Sequence, residues 1–191
     1  MFEKITEKEI YSEINTVSEK NGVVFCGTDL FCELPLGELK SLACTDSAVL
    51  NRSIAGAALS DLCAALPATV KALAPRKVFL NVGENDLAAK GFDLAAFLAE
   101  YEALIGSLRA TAKHAKFYVV SVLSEENGAA ALNEALRALC TRTHCTYVDI
   151  TPALKSEKPA LRILDLLRFY VRDRAINFCD AMNLARPVNG L

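Results

Sequence analysis

Apolar residues follow two alternating patterns along this chain. Five short runs, at residues 23–26, 48–51, 77–82, 116–122 and 146–150, are almost continuously apolar and rich in Val, Phe, Tyr and Ile. Strands covered on both faces read this way, as in a parallel sheet. Between them the apolar residues recur every three or four positions. Residues 57–73 place Leu59, Leu62, Leu66 and Val70 on one face. Residues 93–112 do the same with Leu94, Phe97, Leu98, Tyr101, Leu104, Ile105 and Leu108, and residues 129–140 with Leu132, Leu136 and Leu139. These patterns predict helices, and 35–42 a further short one. The charged stretch 1–20 has helical spacing, as does 160–170, which is apolar and basic. Strand and helix alternate, so the expected architecture is a doubly wound α/β sandwich. No repeat or linker interrupts it. We therefore expect one domain over residues 1–191, with an N-terminal helix in 1–20 and a divergent helical segment in 155–191.

Composition narrows this picture. The chain has 191 residues, 52% of them hydrophobic, and a formal net charge of -2. No basic stripe stands out, so a nucleic-acid partner is not expected. The first twenty residues lack the apolar core of a signal peptide. No run approaches the roughly 18 apolar residues of a membrane span. A cytoplasmic protein with no membrane association is the expectation. Seven cysteines (Cys26, Cys32, Cys44, Cys63, Cys140, Cys145 and Cys179) are scattered without a CxxC pair. They read as free buried thiols, with no structural zinc site and no cofactor. Arg162, Arg168, Arg172 and Arg174 read as a solvated face or, alternatively, a docking face for an acidic partner.

Ligands of open parallel sheets bind beyond the carboxyl ends of the strands. The loops there carry Gly27, Thr28 and Asp29; Arg52, Ser53 and Gly56; Gly83, Glu84, Asn85 and Asp86; Ser124, Glu125 and Glu126; and Thr151. The two histidines, His114 and His144, immediately precede the fourth and fifth strands and belong at the opposite edge. A hydrolase that activates a hydroxyl normally needs a general base beside it, most often His. On this topology a Ser-His-Asp triad cannot be assembled.

Three of those loops resemble, in order, the blocks of the SGNH (GDSL-type) hydrolase family. VVFCGTDLFCELPLGEL looks like the first block, in which a strand ends in Gly-Asp-Ser and the Ser is the nucleophile. VLNRSIAGAALSDL is similar to the second, Asn-Arg-Gly-Ile-x-Gly, and KVFLNVGENDLA to the third, Gly-x-Asn-Asp. FYVVSVLSEEN and TYVDITPAL also fit the fourth and fifth strands of that family. The resemblance implies a three-layer α/β/α sandwich around a five-stranded, flavodoxin-like parallel sheet of order 2-1-3-4-5. It also implies hydrolysis of esters. The oxyanion would be held by the nucleophile's amide, a second-block Gly amide and the third-block Asn side chain, and a final Asp-x-x-His would supply the base.

The departures carry the functional reading. Thr28 falls at the block's Asp and Asp29 at the nucleophilic Ser. Ser53 falls at the second-block Gly, with its backbone amide at an oxyanion position, and Gly56 at the later Gly. Gly83, Asn85 and Asp86 match the third block, which puts Asn85 at the side-chain oxyanion position. The best counterpart of the final motif is Asp180 to Asn183, with Asn183 in place of His; Asp173 to Ile176 fits no better. Asp29 offers no hydroxyl and brings charge to a place that should stabilise charge. The resemblance therefore implies an inactive or strongly impaired hydrolase, whose cleft would bind a small neutral or cationic ligand, or which would bind a protein partner. The alternatives are Asp29 as an unusual nucleophile, a thiolate at Cys26 or Cys32, a cation site built from Asp29, Glu84 and Asp86, and plain structural roles: Asp29 as a cap or loop anchor, Asp86 as a brace.

Overall fold

The computed structural model describes residues 7–124 and 127–172. Helix α1 (Glu7–Val17) precedes strand β1 (Val23–Gly27), after which come the short helices α2 (Asp29–Glu33) and α3 (Leu39–Leu42), linked by a 3-10 turn at Leu36–Glu38. Strand β2 (Val49–Asn51), helix α4 (Leu59–Leu73), strand β3 (Lys77–Asn81), helices α5 (Glu84–Ala88) and α6 (Leu94–Thr111) and strand β4 (Lys116–Val120) follow. The described chain closes with α7 (Ala129–Thr143), β5 (Thr146–Val148), a 3-10 turn at Thr151–Lys155 and α8 (Pro159–Val171). The five strands form one sheet in the order β2-β1-β3-β4-β5, and each neighbouring pair is parallel. This is the expected architecture.

Alternate residues of each strand feed two separate cores. Val24, Cys26, Val78, Leu80 and Val119 face α4, α6 and α7. Val23, Phe25, Phe79, Tyr118 and Val120 face α8 and the segment containing Phe31, Leu36 and Leu39. Continuous apolarity along the strands thus reflects helices on both faces of the sheet. On the α8 side the register aligns Phe25, Phe79 and Tyr118 across β1, β3 and β4. Their rings stack at 4.5 Å centroid separation, with interplanar angles of 14° and 9°. Phe31 closes one end of the row edge-on at 5.2 Å and Tyr170 the other at 5.8 Å.

The structure corrects several expectations. β4 stops at Val120, short of residue 122, because side chains take over the backbone hydrogen bonds. Val122 donates to Asn133 Oδ1 (2.8 Å) and its carbonyl accepts from Asn133 Nδ2 (2.9 Å). β5 stops at Val148, and Ile150 N–H turns to Ser121 Oγ (2.9 Å). The expected solvated arginine face fails at Arg168, which is only 7% exposed. Its Nη2 lies 2.7 Å from Asp165 Oδ1, one turn earlier, and its guanidinium packs on the Phe169 ring. Arg162 pairs with the same Asp165 at 2.9 Å; Arg174 lies outside the described residues. Six of the seven cysteines are described and all six are free thiols, but only Cys26 and Cys140 are buried, while Cys32 and Cys44 are exposed. Among the described residues no helix is long and apolar enough to cross a membrane.

Candidate functional site

The carboxyl ends of β1, β2 and β3 bring three loops together. β1 and β3 run so close at their ends that a Cβ on Gly27 would sit 2.5 Å from the Asn81 carbonyl oxygen, so only glycine fits. The chain then turns at Thr28, which is 1% exposed, and enters α2 at Asp29. Gly83 makes the turn after β3 at a φ of 126°, a conformation that L side chains rarely adopt, with Leu132, Phe97 and Val122 packed around it. That turn starts α5 and carries Glu84, Asn85 and Asp86 into the cleft region.

Asp29 is the centre of the arrangement. Its Oδ2 accepts a hydrogen bond from Asn85 Nδ2 (2.7 Å), and its Oδ1 accepts one from the Gly56 backbone N–H (2.9 Å). Asn85 Nδ2 also donates to the Ala57 carbonyl (3.0 Å), which fixes the amide's orientation. The carboxylate therefore ties the β1, β2 and β3 loops into one unit. These bonds, the Asn85 contact foremost, hold the Asp29 carboxyl below the usual aspartate range. Glu84 is shifted the other way, first by burial and then by the negative charges of Asp29 and Glu33.

The remaining candidates separate into those that meet Asp29 and those that do not. The Ser53 amide, expected at an oxyanion position, is engaged within its own loop. It donates to Asn51 Oδ1 (3.1 Å) two residues back, while its carbonyl accepts from Tyr11 Oη (2.8 Å). The second-loop donor that faces Asp29 is Gly56. Asp86 is a brace, as its plainer reading had it, although for a helix other than its own. Both of its carboxylate oxygens accept from Leu59 N–H (3.1 and 3.2 Å) at the first residue of α4. Burial nonetheless pushes its carboxyl up, as the largest of the influences on it. With Asp29 and Asp86 so engaged, the expected alternative of a cation site finds no support: among the described residues no three His, Cys, Asp or Glu side chains are grouped to hold a metal ion. Burial drives the Cys26 thiol up to about 12, which removes it as a thiolate nucleophile.

His114 and His144 are exposed in the turns that lead into β4 and β5, at the opposite edge of the sheet. Ser124 and Thr151 line a different depression of about 350 Å³, beside Asn133, Arg137, Tyr147 and Asp149. Asp180, Asn183, Glu125 and Glu126 lie outside the described residues. Sequence reasoning passed over Asn51, Tyr11 and Asn15. Asn51 holds the Ser53 amide and donates to the Phe31 carbonyl (2.7 Å); its signal was an Asn two residues before a loop Ser, the spacing of an Asx turn.

The two carboxyls near the cleft should ionise in a set order. In a carbon-detected NMR titration, Asp29 is expected to titrate below the ordinary aspartate range and Glu84 above the ordinary glutamate range. A lowered folded-state pKa means that Asp29 contributes stability above the ordinary aspartate pKa, and that this is lost as pH falls through its own lower value. For Glu84 the sign reverses, and stability declines as pH rises from the ordinary glutamate pKa to the raised one. Asp29→Asn should bring the Glu84 midpoint down part of the way, since burial persists. An unmoved Glu84 would mean that the two carboxyls do not sense each other.

A parallel sheet of order 2-1-3-4-5 with a Gly-Glu-Asn-Asp turn after β3 and a Gly-Thr-Asp turn after β1 defines an SGNH-type hydrolase fold. The chain belongs to the GDSL-like lipase/acylhydrolase family, whose model matches residues 36–167. That match begins beyond the turn that carries Asp29. Solved structures agree on the fold. A protein from Streptococcus pneumonia superposes with a TM-score of 0.72 at 21% identity, covering 86% of this chain and 91% of that one. A GDSL-like lipase from Bacteroides thetaiotaomicron gives 0.70 at 15% identity, over 86% and 96%. Axe2, an acetylxylan esterase from Geobacillus stearothermophilus, gives 0.65 at 16% identity, over 85% and 99%. No curated protein sequence matches the chain.

Proposed function

We propose that this chain is a family member whose ester-cleaving site is closed by its own Asp29, and that it works as a binding module and not as an acylhydrolase. The supporting observation is the place of the carboxylate. It takes the Asn85 side chain, which the family pattern puts at the oxyanion position, and the Gly56 amide of the second block. Oxyanion stabilisation requires donors that are free to meet charge as it develops. Here they already hold a full negative charge, and a second would be repelled. Asp29 also has no hydroxyl to attack an ester. No described histidine is near enough to act as a base, a contribution worth about 10²–10⁴ in rate.

Asp29 as a nucleophile is less well supported. Each of its oxygens is engaged by a donor, which lowers its reactivity, and hydrolysis of the acyl-aspartyl intermediate would still need a base. The excess of negative charge from Asp29 and Glu84 suits a neutral or cationic small ligand better than an anionic one; a protein partner is the other occupant this reading allows. Hydrolysis of p-nitrophenyl acetate by the purified protein is expected to match that of Asp29→Ala within about twofold, far below the 10²–10⁴ that a working base alone contributes. Saturable turnover that disappears in Asp29→Ala would overturn the proposal and make Asp29 the nucleophile.

A further inference from the structure

Helix α1 is attached to the fold in an unusual way. None of its apolar residues is buried: Ile10, Ile14 and Val17 are 37%, 42% and 85% exposed. The inward positions are polar: Tyr11, Asn15 and Ser18. All three meet the β2–α4 loop. Arg52, only 7% exposed, donates from Nε to Asn15 Oδ1, from Nη2 to Ser18 Oγ and from Nη1 to the Asn51 carbonyl, each at 2.8 Å. Its guanidinium lies over the Tyr11 ring at 5.2 Å, and Tyr11 Oη donates to the Ser53 carbonyl at 2.8 Å. Asn15 is itself buried, at 3% exposure. The planar fork of an arginine suits three directional bonds of this kind, and an ammonium would not reproduce them.

The loop held in this way ends in the Gly56 amide. Two backbone bonds tack its start to β1, Arg52 N–H to the Phe25 carbonyl (2.8 Å) and Ile54 N–H to the Gly27 carbonyl (3.0 Å). Ser53 lies between them, with its carbonyl fixed by α1. Two residues beyond Ile54, Gly56 is exposed and reaches Asp29. We infer that Arg52 and Tyr11 are positioning residues, and that α1 is a clamp that aims the Gly56 amide at the Asp29 carboxylate. A helix secured mainly by polar bonds, with Ile10 and Ile14 only partly covered, opens more readily than one secured by a fully buried apolar face. The clamp therefore makes the geometry of the cleft depend on whether α1 is docked. This inference concerns the same loop as the proposed function but does not depend on whether the site turns over an ester.

Amide-proton NMR of the full chain tests it. Gly56 N–H and Leu59 N–H each bond to an aspartate, Asp29 and Asp86 respectively, so each amide shift follows its partner's titration. Leu59 is the internal control, since Asp86 holds it without Arg52. In Tyr11→Phe and in Arg52→Lys, the titration-linked shift at Gly56 is expected to fall at least twofold while that at Leu59 is retained. Tyr11→Phe removes a single hydroxyl and keeps the test available should Arg52→Lys fold poorly. An unchanged Gly56 response in the variants, or an equal loss at Gly56 and Leu59, would overturn the clamp. Ester hydrolysis is a separate readout, so either proposal can fail alone.

Discussion

Phe79→Ala is expected to destabilise the protein by about 3–5 kcal/mol, the usual cost of emptying a phenylalanine site in a packed core. Phe79 is fully buried and is the middle ring of the stacked row on β1, β3 and β4. Its removal leaves a cavity with Phe25 on one side and Tyr118 on the other, and breaks two ring contacts at once. Such contacts add about 0.5–1.5 kcal/mol each beyond area burial. Because β3 is the central strand, the sheet cannot shift locally to fill the gap without disturbing pairing on both sides. In thermal unfolding the melting temperature should fall by roughly 6–20 °C for a domain of this size. Val17→Ala, on the exposed face of α1, should change stability by no more than about 0.5 kcal/mol. A Phe79→Ala loss near that of the Val17 control would show that the row is not a structural core.

The same row shows why the fold could be read from the chain. Phe25, Phe79 and Tyr118 each sit in a run that is apolar at nearly every position, because helices cover the sheet on both faces. Continuous apolarity is a strong signal for the five strands, as the spacing of three or four is for the longer helices. What it does not carry is the ends. β4 and β5 stop where the side chains of Asn133 and Ser121 bond to the backbone, a competition between residues far apart in sequence. The five-residue helices α2 and α5 are too short to show a period. Arg168 was misread because a helical pattern displays its charge but neither the Asp165 partner nor the Phe169 ring that make burial tolerable.

The site divides along similar lines. Asp29 and Asn85 were legible because each lies two residues after a glycine at the end of a strand, and Gly56 because it matches the later Gly of the second block; the structure joins them by two hydrogen bonds. Ser53 was not, because its amide is taken by Asn51, which a linear comparison of blocks does not weigh. The clamp by α1 was illegible for a different reason. Its docking face is polar, and Ile10, Ile14 and Val17 lie beside that face, so the hydrophobic pattern does not show which side is docked.

If the Asp29 carboxylate occupies donors shaped for an anion, removing it should leave an anion site behind. Asp29→Ala is therefore expected to bind free acetate where the wild-type protein does not. The chemistry is that of the missing side chain: Gly56 N–H and Asn85 Nδ2 would each donate to a carboxylate oxygen. Hydrogen bonds to a charged group contribute about 1.5–3 kcal/mol each. Two of them, set against the cost of immobilising a small ion, point to a dissociation constant on the order of 1–10 mM, since 1 mM corresponds to about 4.1 kcal/mol. The Asn85 side-chain amide and Gly56 N–H signals in an NMR titration should move together and saturate. In wild-type protein at the same acetate concentrations they should stay in place, because the tethered carboxylate is already there at high effective concentration. Asp29→Asn separates charge from shape: its amide oxygen can accept one of the two bonds while its NH₂ group faces the other donor, so it should neither restore the original geometry nor admit acetate well. Failure of Asp29→Ala to bind acetate, with Gly56 and Asn85 still in place, would mean that the two donors are organised by Asp29 itself and do not form an anion site without it.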